Sequence, residues 1–160
     1  MQNLFLTLVL LSLSLSVNAD LKESSPSKVC GFLSKSGLST GIWKDNYGYG
    51  CNSPYKQLGS GSPLANNIAY YVDGNRTKVE QAKLVININN SSSASATHLE
   101  LLKASEVLSK KLSGQKLPQS LANAIKEGKA ITQNIDKTLV EVVRFDWPTG
   151  RGYEVKVIFK

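Results

Sequence analysis

The plainest pattern in the chain is at its C-terminal end. There Tyr153, Val155, Val157 and Phe159 alternate with Glu154 and Lys156. A period of two describes a half-buried strand. Just upstream, Trp147-Pro148-Thr149-Gly150 reads as a type I turn, with proline preset at the second place and glycine able to take a left-handed backbone. Thr138–Trp147 and Gly152–Phe159 are therefore predicted to pair as a hairpin. Setting Trp147 against Arg151 puts Phe145 opposite Tyr153, Val143 opposite Val155 and Leu139 opposite Phe159. It also puts Arg144 opposite Glu154, a favourable charge pair. Tyr153, Val155, Val157 and Phe159 then face the core.

The period changes to that of a helix in the middle of the chain. Leu101, Ser105, Leu108 and Leu112 fall on one stripe with Leu102 beside it, as an amphipathic helix requires. Thr97-x-x-Glu100 has the form of a capping box at its start. Lys110 and Lys111 suit its C-terminal dipole, and Gly114 ends it. A second helix is predicted from Pro118, with Leu121 and Ile125 on its inner face and Gly128 as its stop. Ahead of the helices, 67–72 is β-branched and aromatic, and Asp73-Gly74 offers a two-residue hairpin turn. The returning strand starts near Asn75. Lys83–Asn89 is the stronger piece, with Leu84, Ile86 and Ile88 on one face, and the pattern leaves open whether it continues the 75–81 strand. Residues 90–96 read as a serine- and alanine-rich approach to the helix.

The N-terminal third is irregular. Asp20–Lys28 is polar and serine-rich and reads as a loose lead-in. Residues 30–64 are dense in glycine and aromatics, above all Gly41-Ile42-Trp43-Lys44-Asp45-Asn46-Tyr47-Gly48-Tyr49-Gly50-Cys51. So many glycines disfavour a helix. The fold class expected is α+β: an antiparallel sheet built from two hairpins with two helices on one face, preceded by a disulfide-tied irregular segment. The element order resembles that of compact dimeric chaperones of bacterial secretion systems. No motif of that group can be matched residue by residue, so the resemblance implies nothing about function.

The first residues add a compartment. Leu4–Val17 is apolar, interrupted by Thr7, Ser12, Ser14 and Ser16, and carries no charge. Val17-Asn18-Ala19 follows it in the manner of a signal peptidase site, so 1–19 is expected to be a cleaved signal peptide and 20–160 a single secreted or periplasmic domain. Lys and Arg number 19 against 12 Asp and Glu, a net charge of +7. The lysines are scattered, with Lys110-Lys111 adjacent, which argues against a concentrated nucleic-acid stripe. A diffuse positive field favours acidic proteins or anionic envelope components as partners. Once the signal is removed, the chain has no further apolar run that would span a membrane. Cys30 and Cys51 are its two cysteines, and in an exported domain they are expected to be bonded.

Catalytic and metal signatures are missing from the sequence. His98 is the one histidine, Glu100 two residues on points elsewhere on a helix, and the histidine reads as a half-buried helix-start residue. No cofactor motif is present, and zinc or calcium spacing is absent. Two carboxylates can suffice for glycan cleavage, and Asp45, Glu80, Glu141 and Glu154 are the available members for such an envelope enzyme. The stronger expectation is a binding module that recognises an acidic protein, as an inhibitor or adaptor. A binder of anionic polymers or lipid surfaces is the remaining alternative. Candidate contact residues are Trp43, Lys44, Tyr47, Tyr49, Tyr55 and Lys56 in the glycine-rich loop, and Trp147 and Arg151 at the hairpin tip. Aromatics supply contact area at low entropy cost, although packing around the disulfide is the favoured reading of the loop's rings, and a local stabilising stack that of Trp147 and Arg151.

Overall fold

The computed structural model describes residues 19–62 and 64–160, so the expected signal segment lies outside the described residues except for its last position. The elements run α1 Pro26–Cys30, β1 Lys44–Asp45, β2 Tyr49–Asn52, β3 Lys56–Leu58, β4 Asn66–Gly74, β5 Val79–Ile88, α2 Ala94–Leu112, α3 Gln119–Glu127, β6 Ile131–Ile135, β7 Thr138–Asp146 and β8 Tyr153–Phe159. The strands form one 8-stranded sheet in the order β1-β2-β4-β5-β8-β7-β6, with β3 paired to β4 beside β2. All pairings are antiparallel. This is the α+β fold expected.

The core lies between one face of the sheet and the helices. Ile68, Tyr70 and Val72 of β4, Leu84, Ile86 and Ile88 of β5, and Val155, Val157 and Phe159 of β8 are buried there. The stripe Leu101, Ser105, Leu108 and Leu112 of α2 and Leu121 and Ile125 of α3 close over them. Ser105 is tolerated in that stripe because its hydroxyl donates to the Leu101 carbonyl at 2.8 Å. Among the described residues, no helix is long and apolar enough to cross a membrane.

The N-terminal segment is ordered rather than loose. Ser25-Pro26 starts α1, with proline at a position where its missing N–H costs nothing. Leu21, Val29, Leu33 and Leu38 are buried against the sheet. Tyr70 donates its hydroxyl to the Val29 carbonyl at 2.9 Å, and burial pushes its ionisation upward. Cys30 at the end of α1 is bonded to Cys51 in β2, with a Cα separation of 6.2 Å. That bond ties the segment to the sheet, and loop closure over 21 positions contributes about 3 kcal/mol.

Four local expectations are corrected. The Asp73-Gly74 turn is instead the end of β4, and the reversal is Asn75–Lys78. Asn75 holds it by accepting from the Thr77 and Lys78 amides, both at 3.0 Å, so an asparagine turn displaces the two-residue one. Gly74 is needed for close approach, since a Cβ there would meet the Lys78 carbonyl. The partner strand is continuous from Val79 to Ile88, which closes the question of one strand or two.

The Thr97–Glu100 capping box does not form, because α2 begins at Ala94. Thr97 lies inside the helix, donating to the Ser93 carbonyl at 2.9 Å, and Glu100 accepts from Lys103 at 2.7 Å. The side-chain cap nearby belongs to the short 3-10 turn Ser91–Ser93 that precedes α2, where Asn90 accepts from the Ser92 amide at 3.1 Å. Pro118 is the residue before α3 rather than its first.

The last correction concerns register. The turn at Trp147–Gly150 is present, with Gly150 at φ 66° donating to the Trp147 carbonyl at 2.9 Å. The loop is one residue longer than expected, however, and Trp147 donates to the Gly152 carbonyl at 3.0 Å. Phe145 thus faces Glu154, and Arg144 faces Val155. Glycine at 152 fixes this choice, because a Cβ there would lie 2.6 Å from the Trp147 ring and collide with the Ile88 carbonyl. The inward face of β8 is as expected, while a one-residue slip turns every side chain of β7 over.

Candidate functional site

The glycine-rich loop folds as a small hairpin, β1–β2, on one edge of the sheet. Asp45 accepts from the Gly48 amide at 3.1 Å, so its carboxylate braces the turn. The strand alternation then sorts the candidate residues onto two faces. Trp43 and Tyr49 share the face of buried Cys51, and Trp43 packs against the core. Its indole N–H is buried and has no acceptor among the described residues. Lys44, Gly50 and Asn52 turn to the other face, away from the helices, beside Tyr71 and Asp73 of β4.

There they line a groove of about 370 Å³ together with Ile42, Asn46 and Gly48. Gly50 keeps its floor low, since a Cβ would sit 2.8 Å from the Val72 carbonyl. Tyr71 forms a wall, donating to the Tyr55 hydroxyl at 3.2 Å with the Lys83 ammonium 5.3 Å from its ring centre. Burial, then the bond to Tyr55, push the Tyr71 ionisation upward. Tyr47 occupies the hairpin tip. It is wholly exposed and holds φ 60°, a left-handed backbone that a tyrosine adopts at a cost of about 1–3 kcal/mol.

Of the sequence candidates, Lys44 lines this groove, Tyr55 is bonded to its Tyr71 wall, Tyr47 stands in the adjoining turn, and the others lie elsewhere. Lys56 pairs with Ile68 at the helix-facing side and donates to the Ser36 carbonyl at 3.0 Å. Trp147 and Arg151 lie at the far end of the sheet. Nothing local in the sequence marks Tyr71, Asn52 and Asp73 as site residues. Their membership follows from strand pairing, which no local motif announces.

The four carboxylates available for glycan chemistry each have a neighbouring donor. Asp45 braces its turn, Glu80 accepts from Asn75 at 2.8 Å, Glu141 pairs with Lys160 at 2.7 Å and Glu154 with Lys156 at 2.8 Å. Among the described residues, no three His, Cys, Asp or Glu side chains converge as metal ligands.

His98 is fully buried rather than half-buried, one turn inside α2. Its Nδ1 meets the Ile125 carbonyl at 2.6 Å, so Nδ1 carries the proton. Nε2 is then an acceptor for the Tyr153 hydroxyl at 3.0 Å. Burial lowers the His98 pKa, the nearby Arg144 lowers it further, and the Ile125 carbonyl opposes both. The unfolded chain therefore binds the extra proton more readily than the fold. Stability is expected to be full above about pH 6.5 and to decline as pH falls below it. Urea unfolding at several pH values checks this. A flat profile in that window would show that the fold accepts the proton freely.

Comparison with protein-family models, with curated proteins and with solved structures finds no match for this chain.

Proposed function

We propose that the chain is an exported binding module whose β1–β2 hairpin contacts an acidic protein partner. The observation that carries this reading is Tyr47: a fully exposed aromatic on a left-handed backbone, at the tip of a hairpin anchored next to the Cys30–Cys51 bond. Exposed tyrosine on a pre-ordered support is what a binding hot spot requires, because little further ordering is lost on association. Lys44 beside it forms no ion pair among the described residues, and the net charge of +7 has the sign that draws an acidic partner. The disulfide suits an oxidising compartment.

The test uses Tyr47→Ala, Tyr55→Ala and Lys44→Ala. Each is expected to keep its melting temperature, since exposed positions change stability by about 0.5 kcal/mol or less. Each should lose most retention of the acidic protein that co-purifies with the wild type from the extracellular or envelope fraction. Unchanged retention in all three would overturn the proposal.

A further inference from the structure

The β7–β8 hairpin borders an open recess of about 470 Å³ whose lining includes Ile88, Arg144, Asp146, Trp147, Arg151 and Tyr153. It stands at the opposite end of the sheet from the groove lined by Lys44 and Tyr71: Tyr153 pairs with Ile88 at the end of β5, whereas Tyr49 pairs with Gly74 at the end of β4. It also opens on the helix side of the sheet, where Arg144 approaches His98 and Tyr153.

The recess is built at the expense of hydrophobic burial. The β7 register turns Arg144 towards the helices and leaves Val143 and Phe145 exposed on the open face, 41% and 56% respectively. Burying a phenylalanine is worth about 1.5–3 kcal/mol, so a register that exposes one gives up stability. Conflicts of this kind between local pattern and fold concentrate at functional sites.

The register assembles a layered arrangement. The Arg144 guanidinium lies 3.7 Å from the centre of the Tyr153 ring and is held there by Asp146, with two bonds of 2.9 and 2.7 Å to one oxygen. That pairing lowers the Asp146 pKa and raises that of Arg144. Tyr153 is fixed from behind by buried His98. The Trp147 ring is seated over Gly152. Arg151 forms no ion pair among the described residues and is exposed at the rim.

We infer that this recess is a binding site for a ring that carries a carboxylate, with Trp147 against the ring and Arg151 towards the acid, while Asp146 keeps Arg144 engaged on the Tyr153 ring. A flat indole offers stacking to either a sugar or an aromatic ring, and a guanidinium fork pairs a carboxylate with two parallel bonds. The charged and titratable groups facing His98 are Arg144 from β7, with Asp146 bonded to it, and Tyr153 from β8. α3 presents the Ile125 carbonyl, and Gly128 after it has no side chain. A proton on Nε2 would make His98 the donor to Tyr153 and leave the phenolic proton free for an acceptor in the recess. A bound carboxylate and a protonated His98 thus favour each other, and affinity rises as pH falls.

The test is titration of the 15N-labelled protein with glucuronate and with benzoate, using glucose and benzyl alcohol as neutral counterparts. One of the two acids should shift the Trp147 indole resonance with a dissociation constant on the order of 1 mM, at least tenfold tighter than its neutral counterpart. Which acid does so distinguishes a sugar acid from an aromatic acid. Arg151→Gln, at an exposed position, should weaken binding about tenfold or more. Lowering the pH from 7.5 to 5.5 should tighten it in the wild type and leave Tyr153→Phe unchanged. No shift with either acid at 50-fold excess over the expected constant, or equal response to the neutral compounds, would overturn the inference. So would full affinity in Arg151→Gln.

Discussion

Asn66→Ala is expected to destabilise the protein by about 3–5 kcal/mol, more than loss of any single exposed contact. Asn66 opens β4 and is completely buried. Its carbonyl oxygen accepts from the backbone amides of Asn89 and Asn90, each at 2.7 Å. Its amide donates to the Asn90 carbonyl and to the Thr97 hydroxyl, each at 3.0 Å. One side chain thus satisfies the backbone where β5 ends and the approach to α2 begins. Alanine would leave two donors and a carbonyl without partners at a part-buried junction, and each orphaned group costs about 1–3 kcal/mol. Thr97→Val, which removes one of the four bonds, should cost about 1 kcal/mol. The two substitutions should be non-additive in a double-mutant cycle, because they share that bond. Urea unfolding of the four proteins checks this. A loss under 1 kcal/mol in Asn66→Ala would mean that the β5–α2 junction is held by other contacts.

The same residue shows why some of the fold was legible in the sequence and some was not. The α2 stripe, the inward face of β8 and the Cys30–Cys51 bond rest on short-range periodicity or on a count of two, and these can be read without knowing the partners. The start of α2 cannot. Thr97-x-x-Glu100 satisfies a local rule, but Asn66, far back in the chain, accepts the amides that open the approach and moves the helix start upstream. β6 is hard to read from sequence, although Ile131 and Ile135 have strand spacing and Asp136-Lys137 makes a two-residue turn, with Asp136 at φ 54°. The signal there was a left-handed aspartate without a glycine to mark it. The candidate groove was legible in its Tyr47 tip and not in its Tyr71 wall, which arrives by strand pairing. His98, isolated in sequence, looked idle because its partners are a backbone carbonyl 27 residues on and a tyrosine 55 residues on.

The register of β7 separates the two ways of reading the C-terminal hairpin, and a pair of substitutions decides between them. Under the three-residue loop suggested by Pro-Thr-Gly, Val143 points into the core. In the structure Val142 does so, with 1% exposure, between Ile131 of β6 and Val157 of β8, while Val143 is 41% exposed opposite Lys156. Val142→Asp is therefore expected to bury a carboxylate with no cation beside it and to cost about 4 kcal/mol or more, enough to unfold much of the population at physiological temperature. Val143→Asp should change stability by about 1 kcal/mol or less. Aspartate is a poor strand residue, but Lys156 opposite it supplies a cross-strand partner. Thermal and urea unfolding of both variants provide the measurement, with circular dichroism to confirm that Val143→Asp keeps the wild-type sheet. The reverse order of damage would restore the shorter loop and turn Phe145 inward. It would also take Arg144 off the Tyr153 ring, and with it the recess that the longer loop creates.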